Sequence, residues 1–377
     1  MGKTLGAGII GCGNISSAYL KLIPLFKGIE VRAVADMNLD AAKARAAEFG
    51  VEAQTVKDLL RNDAIQIVVN LTVPAAHFQV SKQILEAGKH VYSEKPLTLS
   101  LKDAKALAAL AKRKKLAVAA APDTFLGGAH QQARKAIDDG MIGKVASGTA
   151  HIMGHGMEHW HPNPDFFYKP GGGPILDMGP YYIMNLINLV GPVKRVAALS
   201  ATPRKQRLIS SEPRKGENVS VTTPTTYHAL LEFANGAIVT LSASWDVYAH
   251  RHPHMELYGT AGAIFVPDPN FFGGEVTVAG TDTVPKPLPA WDHPLGVTNH
   301  EGHEETVANY RGAGLADMAQ AILKKGDIRC GIDRMTHVVD IMMAIMDSGK
   351  TGKFVALKTT CKRPAYLGPA QAKALMR

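Results

Sequence analysis

The sequence is poor in cysteine: 377 residues contain three, Cys12, Cys330 and Cys361. Their odd number and wide spacing exclude a disulfide framework and fit no zinc motif, so reduced thiols and no bound metal are expected. No apolar run reaches the roughly 20 residues of a membrane-crossing helix, and the first residues lack a basic-then-apolar leader pattern. A cytoplasmic protein without a membrane partner is the expectation. Clustered positive charge is also missing. The formal net charge is +9, yet the basic residues are scattered except for Lys112-Arg113-Lys114-Lys115. That run closes a helical pattern, where cations complement the carbonyl end of the dipole. No nucleic-acid partner is expected, only a general pull on anionic ligands.

What the chain does have is alternation. Residues 5–10 form a short apolar strand, Gly11-Cys12-Gly13-Asn14-Ile15-Ser16 follows, and a helical pattern begins. A dinucleotide pyrophosphate needs this order. Gly11 permits the tight turn, Gly13 lets the backbone approach phosphate, and the first helical N–H groups, from Asn14 and Ile15 on, face the anion. Ser16 stands at the third glycine position. A second strand, residues 31–35, ends in Asp36, placed to accept hydrogen bonds from ribose hydroxyls and to repel a 2′-phosphate. NAD is therefore the expected cofactor, with Lys43 and Arg45 leaving NADP open. Helices at 41–49, 77–87 and 101–115 and strands at 65–71, 90–93 and 117–121 complete a doubly wound parallel sheet. Asn70, Thr72 and Pro74 lie at the exit of the strand at 65–71, facing the crevice. Glu94-Lys95-Pro96 ends the next strand, at the edge where open α/β sheets bind ligands.

After residue 124 the rhythm breaks. Strands at 193–202, 226–233, 237–244 and 255–259 alternate without helices between them, and Asn235-Gly236 marks a hairpin. This predicts an α+β second domain, residues 125–377, on a large, mostly antiparallel open sheet, following a Rossmann domain at 1–124. The C-terminal tail is free to pack back on the first domain, and the open face suits a homodimer or homotetramer. Residues 203–224, rich in Pro, Ser, Thr and charge, read as an exposed loop. His250, His252 and His254 read as one exposed face of a strand, and His293, His300 and His303 as loop residues without a role.

Gly171-Gly172-Gly173-Pro174-Ile175-Leu176-Asp177-Met178-Gly179-Pro180-Tyr181 opens a helix, with Asp177 and Tyr181 four apart and facing one way. Upstream, His151, His155, His159 and His161 surround Glu158 and Trp160. The expected role of His159, Trp160 and Tyr168 is an aromatic, polar floor for a sugar.

With its glycine loop, Thr72-Val73-Pro74 with His77, and Glu94-Lys95-Pro96, the chain resembles the Gfo/Idh/MocA oxidoreductases. The resemblance implies an NAD(P)-dependent enzyme, with Glu94 and His77 on the cofactor side and Lys95 beside the nicotinamide, touching the reacting hydroxyl. It also implies a substrate or nicotinamide contact at Asp123. The family pattern has a catalytic histidine four residues after the Asp; here that position is Tyr181. A free phenol has a pKa near 10, so the helix N-terminus and the Lys95 ammonium would have to bring it down. Lys95, Asp177 and Tyr181 are thus the expected catalytic group, acting on a secondary hydroxyl or ketone of a sugar or cyclitol. Two alternatives stay open: an enzyme that retains NAD and cleaves glycosides or eliminates groups, and a non-catalytic nucleotide-binding sensor.

Overall fold

In the computed structural model, residues 3–302 and 306–377 are described, so His303 lies outside them. The first sheet holds β1 (Leu5–Ile10), β2 (Ile29–Ala35), β3 (Glu52–Gln54), β4 (Ile67–Asn70), β5 (His90–Ser93) and β6 (Val118–Ala120) in the order 3-2-1-4-5-6, all parallel. Helices α1 (Asn14–Leu22), α2 (Leu39–Phe49), α3 (Val56–Arg61), α4 (His77–Glu86) and α5 (Leu101–Lys114) connect them. Every residue of β1 is buried, as a strand covered on both faces requires.

The second sheet is nine-stranded. After α6 (Gly128–Asp138), β7 (Val145–Met153), α7 (Pro174–Asp177) and α8 (Gly179–Leu189) come β8 (Val193–Ala201), β9 (Gln206–Leu208), β10 (Asn218–Ser220), β11 (Thr226–Phe233), β12 (Ile238–Ser244), β13 (Met255–Gly259), β14 (Ala263–Val266), β15 (Thr277–Ala279) and β16 (Lys286–Pro287). A short pair, β17 (His300–Glu301) and β18 (Thr306–Val307), precedes α9 (Ala313–Lys324), α10 (Ile332–Thr351), β19 (Val355–Ala356) and α11 (Pro369–Leu375). The strand order is 16-15-14-13-7-12-11-8-19. Among these pairings only β7 with β12 is parallel, so the sheet is mostly antiparallel, as expected. Along β11 the side chains of Tyr227, Ala229, Leu231 and Phe233 go inward and His228 and Leu230 outward, the period-two pattern of a one-sided sheet. Helix α10 covers β8 and β11 on the inner side, and α8 packs against α10. The outer side leaves Leu199, Leu230 and Ile238 exposed.

Two expectations change here. Residues 203–224 are not a loop throughout: much of the segment is exposed, but it carries the β9–β10 ribbon, and Arg207, Ile209, Val219 and Val221 are buried. Ile209, Val219 and Val221 build a second small core with Phe167, Tyr168 and Trp245. The polar composition hid a ribbon whose alternate residues face that core. His250, His252 and His254 precede β13 rather than lying on it, because Pro253 can supply no ladder N–H. His252 instead stacks on His151 with ring centres 4.2 Å apart.

The end of the chain returns to the first sheet. Lys27 N donates to the Leu375 carbonyl at 2.7 Å and Arg377 N to the Leu25 carbonyl at 2.9 Å.

Candidate active site

Gly11 adopts φ +104°, and a Cβ there would stand 2.6 Å from the Leu71 carbonyl carbon. Only glycine fits, and the turn carries the chain across the top of β1. Gly13 caps the start of α1, and a Cβ on it would meet nothing within 4 Å. The helix N-terminus therefore opens onto free space, with unsatisfied N–H groups facing it. Ser16 is fully buried and donates to the Gly13 carbonyl at 2.6 Å, so the serine tightens the turn that a third glycine would have left loose. Asp36, at the end of β2, accepts from Cys12 N at 2.8 Å and Asn38 N at 2.9 Å. Capping of α2 falls to Asn38, which accepts from Asp40 N. Of the two cations that left NADP open, Lys43 pairs with Asp40 within α2, while Arg45 pairs with Glu48 and also donates to the Gly13 carbonyl at 3.4 Å. This set of glycines, helix end and Asp36 fits a dinucleotide with a free 2′-hydroxyl.

Thr72, Pro74, His77, Glu94, Lys95, Asp177 and Tyr181 share one cavity of about 410 Å³ with Asn14 and Ile15. Asn70 does not reach it. Its buried amide donates to the His77 carbonyl and Ser81 Oγ, and its Oδ1 accepts from Thr72. The expectation that Asn70 faces the crevice is corrected: it holds the loop that does. The His77 ring lies 2.7 Å from the Pro96 carbonyl and 2.9 Å from that of Thr72, tying the loop after β4 to the loop after β5. Burial holds its pKa below the ordinary imidazole value.

Glu94 and Lys95 do not pair with each other's charge. Glu94 accepts from the Tyr19 hydroxyl at 2.9 Å and from Lys95 N at 2.9 Å. Lys95 Nζ reaches across to the second domain, 2.6 Å from Asp177 Oδ1 and 2.8 Å from the Asp177 carbonyl. An ammonium has three protons; two are committed to Asp177, which leaves one for a ligand. Burial alone would lower the Lys95 pKa, but Asp177, Tyr181 and Glu94 together raise it. Lys95 is a fixed cation at neutral pH.

Asp177 ends α7 and Tyr181 sits in the first turn of α8. The backbone before them is forced: a Cβ on Gly172 would stand 2.4 Å from the Phe166 and Phe167 carbonyl oxygens. Tyr181 is 4% exposed, with Lys95 Nζ 5.4 Å and Arg311 Cζ 5.8 Å from its ring centre. The expected downward shift of the phenol is not the outcome. Burial raises its pKa, and Lys95 and Arg311 only oppose the rise. The neutral phenol is thus the favoured resting form of Tyr181, the form that gives up a proton in the reducing direction.

Arg311 was not anticipated. It lines the cavity from the turn before α9, with Nη1 on Asn309 Oδ1 at 3.1 Å and Nη2 on Asn270 Oδ1 at 2.9 Å. Its one sequence signal is placement: a cation at a helix N-terminus opposes the dipole, so something other than the helix must account for it.

Three expected substrate contacts lie elsewhere. Asp123 is 1% exposed and its Oδ2 accepts from Tyr92, Gly312 N and Gly314 N. It anchors the start of α9, and with it the Arg311 turn, rather than facing the cavity. Tyr168 is fully buried and donates to Glu158 while accepting from Met157 N at 2.8 Å. His159 stacks on His155 with centres 4.0 Å apart and is not on the cavity wall. Trp160 is, together with Met157, His161, Phe166 and Phe167. Behind that wall the buried Arg207 binds Glu158 at 2.9 Å, Asp246 at 2.5 Å and the carbonyls of His155 and Trp245. Among the described residues, no three His, Cys, Asp or Glu converge as a metal site, and no helix is long and apolar enough to cross a membrane.

Residues 5–121 match the family model described as "Oxidoreductase family, NAD-binding Rossmann fold" and residues 130–265 match the "GFO/IDH/MocA C-terminal domain". Levoglucosan dehydrogenase of Pseudarthrobacter phenanthrenivorans is 27% identical over 289 residues, 70% of this chain and 73% of its own. The dTDP-3,4-didehydro-2,6-dideoxy-alpha-D-glucose 3-reductase of Saccharopolyspora spinosa is 30% identical over 273 residues, 71% of this chain and 75% of its own. The chain spans only about half the length of two uncharacterized oxidoreductases of Schizosaccharomyces pombe that it matches at 32% and 29% identity. Among solved structures, levoglucosan dehydrogenase in complex with NADH superposes with a TM-score of 0.82 at 22% identity, over 95% of this chain and all of that one. The glycine loop, the two-sheet architecture and these matches agree: the chain belongs to the Gfo/Idh/MocA oxidoreductase family and carries its NAD-binding Rossmann fold.

Proposed function

We propose that the protein transfers a hydride between a nicotinamide and a secondary hydroxyl or ketone of a sugar or cyclitol. Residues 1–124 hold the dinucleotide, preferably NAD, and residues 125–377 hold the substrate. One observation carries the reading: Lys95 Nζ stands 2.6 Å from Asp177 Oδ1 and 5.4 Å from the Tyr181 ring, in the cavity that Asn14 and Ile15 also line. The names of a levoglucosan dehydrogenase and a dTDP-sugar 3-reductase among the relatives support the substrate class.

Bound nicotinamide supplies or takes up the hydride. Gly11, Gly13 and the α1 N-terminus bind the pyrophosphate, and Asp36 accepts from the ribose. Thr72, Pro74, His77 and Glu94 shape the nicotinamide side. Lys95, permanently charged, gives its third proton as a hydrogen bond to the reacting oxygen and stabilises alkoxide charge. Asp177 fixes that ammonium and accepts from a neighbouring hydroxyl. Tyr181 gives its proton to the oxygen in the reducing direction and takes it back in the oxidising one. Trp160 and Phe166 offer flat apolar faces to the carbon-bound face of a sugar ring. Exposed Leu199, Leu230 and Ile238 on the outer sheet favour a homodimer or homotetramer.

The test is a panel of sugars, cyclitols and their ketones, each with NAD and NADP, followed at the NADH absorbance band. Turnover with at least one is expected. Cofactor that co-purifies, never exchanges and gives no net NADH would favour the NAD-retaining alternative. Cofactor binding with no turnover on the whole panel would favour the sensor.

A further inference from the structure

A buried phenol can release its proton only if the phenolate left behind is met by positive charge. Charged and titratable groups meet Tyr181 from several elements: Lys95 and Glu94 from the loop after β5, Asp177 from α7, Tyr19 from α1 and Arg311 from the turn before α9. Lys95 is the larger of the two opposing charges, but its ammonium is tied to Asp177 Oδ1 at 2.6 Å and its remaining proton is the one offered to the reacting oxygen. Arg311 is different. Its guanidinium is fixed by the neutral amides of Asn309 and Asn270, its carbon lies over the Tyr181 ring, 5.8 Å from the ring centre, and its charge favours the Tyr181 phenolate. Glu94 and Asp123 act on it only from a distance, each engaged by its own donors.

We infer that Arg311 is the positioning partner of Tyr181: its guanidinium orients the phenol and is the counter-charge for the phenolate formed at each reductive turnover. The inference rests on the proposed acid role of Tyr181. In the step, hydride from a dihydronicotinamide reaches the carbonyl carbon and the C=O π bond becomes a C–O single bond. The Tyr181 O–H bond breaks, its proton goes to that oxygen, and the nicotinamide is oxidised. The phenolate stays against Arg311 until water reprotonates it. Asn270 and Asn309 hold the guanidinium in place without neutralising it, which a carboxylate in either position would do. Asp123, by binding Gly312 N and Gly314 N, sets the turn from which Arg311 projects.

The experiment measures Tyr181 itself. Tyrosine labelled with ¹³C at the ring carbon bearing oxygen gives one NMR resonance that disappears in Tyr181→Phe, and its pH midpoint is followed in the protein without substrate. Replacing Arg311 by Gln should raise that midpoint by a pH unit or more and lower kcat at least tenfold, with KM little changed. Arg311→Lys should restore most of the midpoint. Asn270→Ala, which loosens the guanidinium without removing its charge, should raise it by a smaller amount. The alkaline limb of the reductive pH–rate profile should move up in parallel. An unmoved midpoint in Arg311→Gln, or in Asn270→Ala should the first variant not fold, would overturn the inference. If instead Tyr181→Phe keeps both its rate and the alkaline limb, the acid role of Tyr181 falls first and the two failures are told apart.

Discussion

Lys95 and Asp177 join the two halves of the molecule through a 2.6 Å contact between Nζ and Oδ1, reinforced by the Asp177 carbonyl at 2.8 Å. One residue stands at the end of a parallel strand, the other in a short helix of the second half. Both side chains are mostly buried, and Asp177 is the foremost of the charges that hold Lys95 protonated against that burial.

Replacing Lys95 by Met should remove a hydrogen bond made to the reacting oxygen. A fall in kcat on the order of 10²–10³ is expected, the magnitude for losing one such donor. NADH affinity should stay within a few-fold, because the glycine loop and Asp36 are untouched. Steady-state kinetics and fluorescence titration with NADH check the two halves of this statement. Turnover near wild type would remove Lys95 from the mechanism.

Tyr181→Phe should lower kcat by roughly 10²–10⁴, the range for losing a positioned acid, while the unfolding midpoint changes little. Tyr181→His is the more telling variant. Imidazole titrates near neutrality, so the reductive pH–rate profile should lose its acid role at lower pH than in wild type. A profile identical to wild type in Tyr181→His would mean the proton comes from elsewhere.

The cavity wall should be as stable as the charge knot behind it. Arg207→Met leaves Glu158 and Asp246 buried without their cation, a loss of about 3–5 kcal/mol by analogy with broken buried pairs. Denaturant unfolding measures that. KM for the sugar should rise more than kcat falls, since Met157, Trp160 and His161 touch the loops Arg207 ties together. An unchanged KM would show that the wall holds without the knot.

Acid should weaken the fold through two buried histidines, each fixed as a neutral tautomer. His130 presents Nε2 to the Phe271 carbonyl and Nδ1 to the Asn185 amide. His337 Nε2 accepts from Val193 N at 3.1 Å. Burial lowers both to about 4. With folded values below the unfolded 6.5, their stabilisation is complete above pH 6.5 and is lost as pH falls towards 4. Each contributes on the order of 3 kcal/mol across that window. Thermal midpoints recorded from pH 7 to 4 should fall, and His337→Gln should flatten the slope. A slope unchanged in that variant would place the acid sensitivity elsewhere.

Much of the site could be read along the chain because its parts are local. Gly11 and Gly13 follow one strand, Asp36 ends the next, Lys95 follows another, and Asp177 and Tyr181 flank the junction of α7 and α8, four positions apart. Each sits where a strand or helix stops, and stops are marked by glycine, proline and charge. What could not be read depends on distant chain segments meeting. Arg311 reaches a tyrosine 130 positions earlier, and no spacing rule links them. Arg207 lay in a stretch whose composition suggested solvent, because a two-stranded ribbon buries only alternate residues. Asp123 has the right position for a ligand contact but faces the wrong way: the amides at the start of α9 approach it from behind. A strand exit shows where a side chain starts, whereas its direction depends on what packs against it.

The return of residues 375–377 to Leu25, Phe26 and Lys27 also bears on the order of synthesis. Arg377 Nε donates to the Phe26 carbonyl, 351 positions earlier. On the ribosome, the six strands of the first sheet emerge hundreds of residues ahead of these partners. The turn between α1 and β2 must therefore stay hydrated, its carbonyls and the Lys27 amide bonded to water, until translation has passed α11.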